Sequence, residues 1–368
     1  MPEVTGCGAA AQNSSGGGDL SATRRPIATL KLRSRLTDRL ESLALADRPA
    51  PSPLRLGVVL VAWDEERTTA CVQVLRQLGA RAATADLVVV ANRTQAVGCG
   101  LDPVVRVVRG SNREAEFSGY DEGVHALRST SPVDVWFLAN DRLLGYEDGY
   151  VDLLHPAVLR LAHDEQVLLG WVDRLPVDDP VRGHRVPVFC RSNYLMVAER
   201  TLLRIGAVTS VDNEDYDDMV GTGDHERLGD VAGSDLPASY LAYLDDWLTG
   251  RGGNGNAVWY RAGDASAQQW SMLRHKLHSI VNEHLFSARA RQAGAVLVGP
   301  RQAALLARLP PDSPLRRRLL STMATEPGRA WGYSFDRAER LRTAATAAVR
   351  VGLRGRLLPG RGLVRTRE

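Results

Sequence analysis

Short apolar runs that end abruptly in polar residues recur along the first half of the chain. "LGVVLVAWD" (56–64), "ADLVVVANR" (85–93) and "VDVWFLAND" (133–141) are three of them. Continuous apolar runs of this length, without the alternation of a half-exposed strand, are typical of parallel strands buried on both faces. A more alternating run at 102–110 predicts a strand nearer the edge of the sheet. The pattern therefore predicts a sheet whose strands end in polar side chains.

Segments with helical spacing of apolar residues lie between these runs. Helices are predicted at 65–80 and 118–129, and a third segment at 148–164 contains Pro156, which must kink the helix or start a new one. Further strands are predicted at 166–174 and 186–198, and further helices at 199–206, 236–250 and 266–294. This alternation predicts an α/β, Rossmann-like fold with a mostly parallel sheet flanked by helices and with a helical C-terminal extension.

The composition changes on either side of this core. The first 33 residues are rich in Gly, Ser and Ala, and the stretch at 210–230 is acidic and is expected to be a loop. The predicted organisation is a disordered tail (1–33), a helix and linker (34–54), the core (55–210), an acidic loop with helices (211–300), and C-terminal helices with a basic tail (301–368).

The overall charge and the cysteines limit the classes of function. A net charge of +3 over 368 residues argues against a nucleic-acid partner, because binding to phosphate backbones needs a concentrated basic face. The four cysteines are Cys7, Cys71, Cys99 and Cys190, and none has the spacing of a metal or redox motif. No apolar run is long enough for a transmembrane helix, and the N-terminus does not resemble a signal peptide. These features predict a reduced, cytoplasmic protein.

Two common nucleotide-binding motifs are missing from the sequence. The first strand is followed by "VAWDEER" instead of a Gly-x-Gly-x-x-Gly turn, and no Walker A loop is present. A standard dehydrogenase and a P-loop enzyme are therefore disfavoured. A methyltransferase remains an alternative among α/β transferases.

The order of the polar strand ends resembles that of the GT-A glycosyltransferases. One strand ends at Trp63-Asp64, the next at Asn92-Arg93, then "RGSNREAEFSGYDEGVHAL" follows, and then "VWFLAND". The resemblance is to the family 2-like and rhamnan-synthesis-type enzymes of bacterial polysaccharide assembly, and it covers roughly residues 55–210. It implies a GT-A core that binds a UDP-, dTDP- or GDP-linked sugar and transfers the sugar to a cell-surface glycan or a lipid-linked saccharide.

The resemblance also implies where the donor binds. Small residues and Asn after the third strand, with the start of the next helix, would lie against the donor nucleotide. The candidate donor-binding residues are Trp63, Asp64, Asn92, Arg93, Ser111, Asn112, Asp121, Asn140 and Asp141. Ordinary helix-cap and turn roles remain open for the Asp and Asn residues among them, and Asp64 in particular precedes a predicted helix.

The strand that ends in "AND" occupies the place of the Asp-x-Asp motif in such enzymes. A divalent cation, Mg²⁺ or Mn²⁺, bound by carboxylates and phosphate oxygens would neutralise the leaving diphosphate. Ala139 stands where the first acid would be, so Asp141 is the one anionic metal ligand expected here. Weaker metal binding, or neutralisation by Arg and Lys instead, is the alternative. Asp141 would otherwise cap the following turn.

The acceptor side offers several carboxylates. An inverting transferase needs a base to take a proton from the acceptor hydroxyl. "DNEDYDD" (212–218) resembles the Glu-Asp pair of family 2 enzymes, which implies Asp215, with Glu214, as the catalytic residues, unless this stretch is only a solvated acidic loop. Ser192 and Asn193 are candidate acceptor-binding residues. By the same resemblance, Glu283 on a C-terminal helix faces the active site.

Two further features concern partners. His275, His278 and His284 do not share one helix face, so a helix that packs on the core is favoured over a zinc site. From Arg337 to Glu368 there are nine Arg against two Glu. Such a segment either contacts an anionic membrane surface, which would place the protein at the inner face of the cell membrane, or is a solvated tail.

A non-catalytic nucleotide- or carbohydrate-binding module of the same fold is the main alternative function.

Overall fold

The computed structural model describes residues 52–93, 105–146, 151–220, 235–249 and 267–325. The tail predicted at 1–33, most of the segment at 34–54 and the basic C-terminal tail lie outside these residues. The strands are β1 (Ser52–Ala62), β2 (Ala82–Ala91), β3 (Arg106–Arg109), β4 (Val135–Asn140), β5 (Val167–Arg174), β6 (Val188–Ala198) and β7 (Val296–Val298). Each strand predicted from an apolar run is confirmed, and the predicted edge strand begins and ends inside its predicted range.

The strands form a single mixed sheet in the order β3-β2-β1-β4-β6-β5-β7. Neighbouring strands pair in parallel, except that β6 runs antiparallel to both β4 and β5. The expected α/β class with a mostly parallel sheet is thereby confirmed. Because β1, β2 and β4 are parallel, their polar ends meet at the same edge of the sheet.

Helices cover both faces of this sheet. They are α1 (Glu65–Gly79), α2 (Glu116–Arg128), α3 (Leu143–Tyr146), α4 (Pro156–Asp164), α5 (Glu199–Ile205), α6 (Asn213–Val220), α7 (Ala238–Thr249), α8 (Ala267–Gln292), α9 (Pro300–Leu306) and α10 (Pro314–Thr325). Pro156 starts a new helix at its first position, where a missing N–H is tolerated. Within the described residues, no helix combines the length and the apolar character that crossing a membrane requires.

The central strand β4 explains how the two layers form. All six of its residues are buried. Phe137 packs in the apolar cluster with α1, α4, α9 and α10, whereas Trp136 and Leu138 pack in the cluster with α2, α5 and α8. Successive side chains of a strand point to opposite faces, so a strand that lies between two helical layers must be apolar throughout.

Two elements differ from the sequence-based expectation. The three-residue strand β7 joins the sheet edge beside β5, and its run is too short to be recognised from periodicity. The expectation of a loop at 212–218 is wrong, because Asn213–Val220 form α6. Asp212 caps this helix by accepting a hydrogen bond from the N–H of Asp215 at 2.9 Å, and Tyr216 packs on the core. Acidic residues in a first helical turn are favoured by the helix dipole.

Helix α2 approaches β1 closely through two glycines. A Cβ atom on Gly123 would lie 2.3 Å from Cγ1 of Val59, and one on Gly119 would lie 2.8 Å from Cγ2 of Val61. The resemblance placed these small residues against a donor nucleotide, whereas in the structure they allow the helix to pack on the sheet. Such close backbone approach is a use of glycine that no larger residue can replace without displacement.

Gly123→Ala should lower the free energy of unfolding by about 1–3 kcal/mol, because overpacking against Val59 outweighs the helix propensity gained by alanine, about 1 kcal/mol. Urea unfolding followed by circular dichroism measures this. His125→Ala, at an exposed position of the same helix, is the matched control and should stay within about 0.5 kcal/mol of the wild type. A Gly123→Ala protein that is as stable as the wild type would contradict the close packing.

Candidate donor and acceptor cleft

The polar ends of the parallel strands converge on one cleft. It has a volume of about 800 Å³ and lies between the carboxyl-terminal ends of β1, β2 and β4, the start of α2, the middle of β6 and one face of α8. Ligands of open α/β sheets bind at this edge. Eight residues predicted as site residues line the cleft: Trp63, Asp64, Arg93, Asn112, Asn140, Asp141, Ser192 and Asn193. The structure thus brings together side chains from segments that lie far apart in the sequence.

Asp141 is held by the backbone at the end of the neighbouring strand. Its Oδ2 atom accepts hydrogen bonds from the N–H groups of Trp63 and Asp64, both at 2.8 Å, and only 2% of the residue is exposed. Burial raises the pKa of Asp141, and the two backbone donors offset this rise only in part. From the sequence, Asp141 is expected to cap the turn that follows it. The structure shows instead that this carboxylate ties the end of β4 to the end of β1.

Three polar side chains join the first two strands to the start of α2. Oδ1 of Asn112 accepts hydrogen bonds from Nε1 of Trp63 and from Nδ2 of Asn92, each at 3.1 Å. Nδ2 of Asn92 also donates to the carbonyl of Ala115 at 3.0 Å. Asn112 and Ala115 have φ angles of 53° and 52°, in a region that residues other than glycine rarely adopt. This network therefore supports a strained turn at the wall of the cleft.

Asp64 has the helix-cap role that the sequence left open. Its Oδ1 atom accepts a hydrogen bond from the N–H of Arg67 at 2.9 Å, and this bond lowers the pKa of the exposed Asp64 carboxyl. The side chain nevertheless lines the cleft, because β1 ends there. Capping and ligand contact are therefore compatible at this position.

Cationic side chains stand around the same end of the cleft. Arg67, Arg93 and Arg142 all line it and are exposed. Farther along, Arg191 of β6 forms an ion pair with Asp173 of β5 and lies 5.5 Å from the ring centre of Trp171. The end of the cleft near β1 and β4 is thus basic, which suits an anionic group.

The floor of the cleft contains two carboxylates on different helices. Oε1 of Glu116, on α2, accepts hydrogen bonds from Oγ of Ser192 at 2.6 Å and Oγ of Ser279 at 2.8 Å. Oε2 of Glu283, on α8, accepts a hydrogen bond from the N–H of Ser192 at 2.6 Å. Lys276, one of two lysines in the chain, lines the cleft beside them. Ser192 thus bridges the two acids.

The two carboxylates have different proton affinities. Burial acts to raise the pKa of Glu116, but the positive charge of Lys276 and the two serine hydroxyls outweigh it, so this pKa is lowered. Burial raises the pKa of Glu283, and the charge of Lys276 and the N–H of Ser192 do not fully offset it. The pair therefore holds one firmly ionised acid next to one that protonates more readily.

Glu116 is a site residue that the sequence analysis missed, whereas Glu283 lies where the resemblance placed it. Glu116 does leave a signal in the sequence. It shares one face of α2 with Tyr120, Val124 and Leu127, all of which are buried. A charged residue on the apolar face of a helix is unusual unless it has a partner.

Other predicted site residues lie outside the lining of the cleft. Ser111 is exposed and its N–H donates to Glu122, and Asp121 accepts hydrogen bonds from the N–H groups of Val208 and Thr209 at 2.6 and 2.8 Å. Asp215 and Glu214 lie in the first turn of α6, where Asp215 forms an ion pair with Arg182 at 3.2 Å. The structure does not bring these four residues to the cleft, and Asn92, which is buried and bonded to Asn112, does not line it either.

Two of the three histidines of α8 pack in the protein interior, as expected for a helix that packs on the core. His278 stacks on Tyr216 and bonds the carbonyl of Val211 at 2.8 Å, and Nδ1 of His284 lies 2.6 Å from the hydroxyl of Tyr240. Burial lowers the pKa of His284 to about 3. His275 alone of the three is exposed, and it lines the cleft.

The side chains present do not by themselves form a metal site. Across the described ranges, no three His, Cys, Asp or Glu residues are grouped so that they could bind a metal ion. At the strand end, Oδ2 of Asp141 is engaged by two N–H groups, and Oδ1 of Asn140 accepts a hydrogen bond from the N–H of Arg142 at 3.1 Å. A divalent cation here would need oxygen ligands from a bound substrate.

Comparison with known proteins adds little to this geometry. Neither a protein-family model nor a curated protein matches the chain. Among solved structures, the chain is similar to the mannosyltransferase PcManGT from Pyrobaculum calidifontis in complex with GDP-Man and Mn²⁺, with 15% sequence identity and a TM-score of 0.29. The match covers 83% of this chain and 92% of that chain. A TM-score this low does not establish a common fold.

Asp141→Ala should lower the free energy of unfolding by about 2–4 kcal/mol, because two buried N–H groups lose their acceptor. Asp141→Asn retains an acceptor oxygen and should lose less than about 1 kcal/mol. Since burial raises the pKa of Asp141 in the folded state, the wild type should lose stability relative to Asp141→Asn as the pH rises through that raised pKa. Urea titrations between pH 4 and pH 8 measure both effects. Wild-type stability for Asp141→Ala would contradict the role of this carboxylate in joining β4 to β1.

Proposed function

We propose that this chain is a glycosyltransferase that takes a sugar from a nucleotide-sugar donor and transfers it to a saccharide acceptor. The observation that carries the proposal is the convergence of polar strand ends on one cleft. Trp63-Asp64, Arg93, Asn112 and Asn140-Asp141 all line it at the edge where open α/β sheets bind nucleotides. The order of these segments is also the feature that resembles GT-A enzymes.

The basic end of the cleft suits the diphosphate of such a donor. Departure of a nucleoside diphosphate places negative charge on the leaving phosphate oxygen, and positioned cations stabilise that charge. Arg67, Arg93 and Arg142 are exposed to the cleft at this end. The indole of Trp63 and the carboxylate of Asp64 would then contact the base and the ribose.

A divalent cation belongs to this proposal only together with the donor. Asp141 would supply one carboxylate, and the phosphate oxygens would supply further ligands, an arrangement that Mg²⁺ commonly adopts. The absence of an acid at Ala139 favours weak binding of the ion. The arginines therefore take the larger share in holding the diphosphate.

The far end of the cleft suits an acceptor with sugar rings. Tyr243 and Trp247 of α7 and Phe189 of β6 line it beside Ser192 and Asn193. Aromatic faces with nearby polar groups are typical of small-molecule sites that need both contact area and orientation. The finer proposal, a cell-surface glycan or a lipid-linked saccharide as acceptor, comes from the resemblance alone. Membrane contact through the C-terminal tail is proposed from the excess of arginine in that tail.

A thermal-shift screen with UDP, dTDP and GDP, each with and without Mn²⁺, tests the donor site. At a concentration of 100 times Kd, the matching nucleotide should stabilise the fold by about 2.7 kcal/mol and raise Tm by several degrees. Arg142→Ala should weaken binding at least about 10-fold, because a charge-assisted contact to phosphate is lost. Arg318→Ala, an exposed arginine on α10, is the control and should leave Kd unchanged.

The screen also separates the alternatives. If none of the three nucleotides binds, the glycosyltransferase proposal fails, and stabilisation by S-adenosylmethionine instead would support a methyltransferase. If a nucleotide binds but UDP-, dTDP- and GDP-linked hexoses are neither transferred nor hydrolysed, the chain is a non-catalytic binding module. Equal affinity with Mn²⁺ and with EDTA would remove the cation from the proposal.

A further inference from the structure

The carboxylate pair at the floor of the cleft has no role in donor binding as proposed above. Glu116 and Glu283 come from different helices, and both are bound to the same residue, Ser192. Two acids are costly to place close together in a partly dry site. Retaining the pair therefore calls for a chemical explanation, and the following inference rests on the proposed glycosyl transfer.

The contacts differ between the two acids in a way that separates their roles. Glu116 is 6% exposed, and its Oε1 atom is held by two hydroxyl groups, from Ser192 and Ser279. Glu283 is only partly buried, lines the cleft, and accepts a hydrogen bond from the N–H of Ser192 at its Oε2 atom. Both acids line the cleft, but Glu116 is buried and held by two hydroxyl groups, whereas Glu283 is the more exposed of the two and the less constrained by hydrogen bonds.

We propose that Glu283 is the catalytic base of the transfer and that Glu116 is the positioning residue that fixes Ser192 beneath it. The acceptor hydroxyl oxygen forms a bond to the anomeric carbon of the donor sugar. The bond from that carbon to the diphosphate oxygen breaks, and its electron pair stays on the phosphate. The hydroxyl proton passes to the carboxylate of Glu283 and then to water, so no further reactant is needed.

The electrostatics of the site agree with this division. A base that works near neutral pH benefits from a raised pKa, and paired acids whose environments separate their pKa values identify acid–base roles. The pKa of Glu283 is raised and that of Glu116 is lowered. The groups that face Glu283 are Glu116 and Tyr120 of α2, Lys276 of α8, and Tyr240 and Tyr243 of α7. Of these, Lys276 opposes the rise and Glu116 reinforces it.

The acids predicted from the sequence are placed less well for this step. Asp215 of α6 forms an ion pair with Arg182, and neither Asp215 nor Glu214 lines the cleft. Glu283 lies on the wall shared with Ser192 and Asn193, the residues proposed for the acceptor. We therefore assign the catalytic base to α8 and not to the acidic segment 212–218.

The first experiment measures the single-turnover release of nucleoside diphosphate from the bound donor sugar, with water as the acceptor. It compares this rate between the wild type and three variants. Glu283→Gln, which keeps the shape of the side chain, should reduce the rate about 10²–10⁴-fold while donor Kd stays within about 2-fold of the wild type. Asp215→Asn should retain the wild-type rate. So should Asp86→Asn, a matched control at an exposed carboxylate of β2.

The outcomes separate this inference from the function on which it rests. Loss of donor binding by the wild type would count against the glycosyltransferase itself. Normal donor binding and turnover together with full activity of Glu283→Gln, or a large loss in Asp215→Asn, would overturn only the assignment of the base.

The second experiment is the pH dependence of the same rate, which needs no variant of Glu283 to fold. In the wild type, the rate should rise with pH through a pKa above the ordinary value for Glu, because only the ionised base accepts a proton. Burial is the main cause of the raised pKa of Glu283, and the negative charge of Glu116 adds to it. Glu116→Gln removes that added contribution, so the rising limb should move to lower pH. Glu116→Asp should restore it in part. A wild-type profile without this rising limb would overturn the proposal. So would a rising limb whose pH position is the same in Glu116→Gln as in the wild type.

Discussion

The buried carboxylate of Asp141 is the constraint on which the cleft depends. A charge at 2% exposure needs strong donors, and the N–H groups of Trp63 and Asp64, each 2.8 Å from Oδ2, supply them. The ends of β1 and β4 are consequently fixed relative to each other. The indole of Trp63 can then donate to Asn112, which orders the strained turn before α2. Loss of the backbone hydrogen bonds to Asp141 would therefore loosen the contact between Trp63 and Asn112 and, with it, the turn before α2.

The parts of the fold that were predicted correctly depend on local signals. Apolar runs define β1, β2 and β4 because these strands are buried on both faces, and Asp64 caps α1 through a residue only three positions away. The acidic stretch after Asp212 shows the limit of charge as a signal. Charge alone predicts a solvated loop here, but Glu214 and Asp215 lie in the first turn of a helix whose other face, with Tyr216, is buried.

The parts of the site that were missed depend on contacts between distant segments. Glu116 meets Ser279 across 163 residues, and Asp121 meets Val208 across 87, so no spacing rule connects them. The resemblance implies Asp121 as a donor-binding residue, because it belongs to the segment and helix start that follow the third strand. The fold instead turns its carboxylate toward two backbone N–H groups behind the helix. The role of each acid depends on its hydrogen-bond partner, a hydroxyl for Glu116 and backbone N–H groups for Asp121. The sequence does not specify either partner.

The distribution of charge in the cleft gives a physical reason to treat it as one site. Arginines line the end near β1 and β4, and the paired carboxylates of α2 and α8 meet at Ser192 of β6. Sugar transfer from a nucleoside diphosphate develops negative charge on the leaving phosphate and releases a proton from the attacking hydroxyl. It therefore needs cations at one place and a proton acceptor at another. A site that only binds a nucleotide needs the cations but not the proton acceptor. Burying Glu116 and holding Glu283 beside it are both costly, so the acidic floor argues for chemistry rather than binding alone.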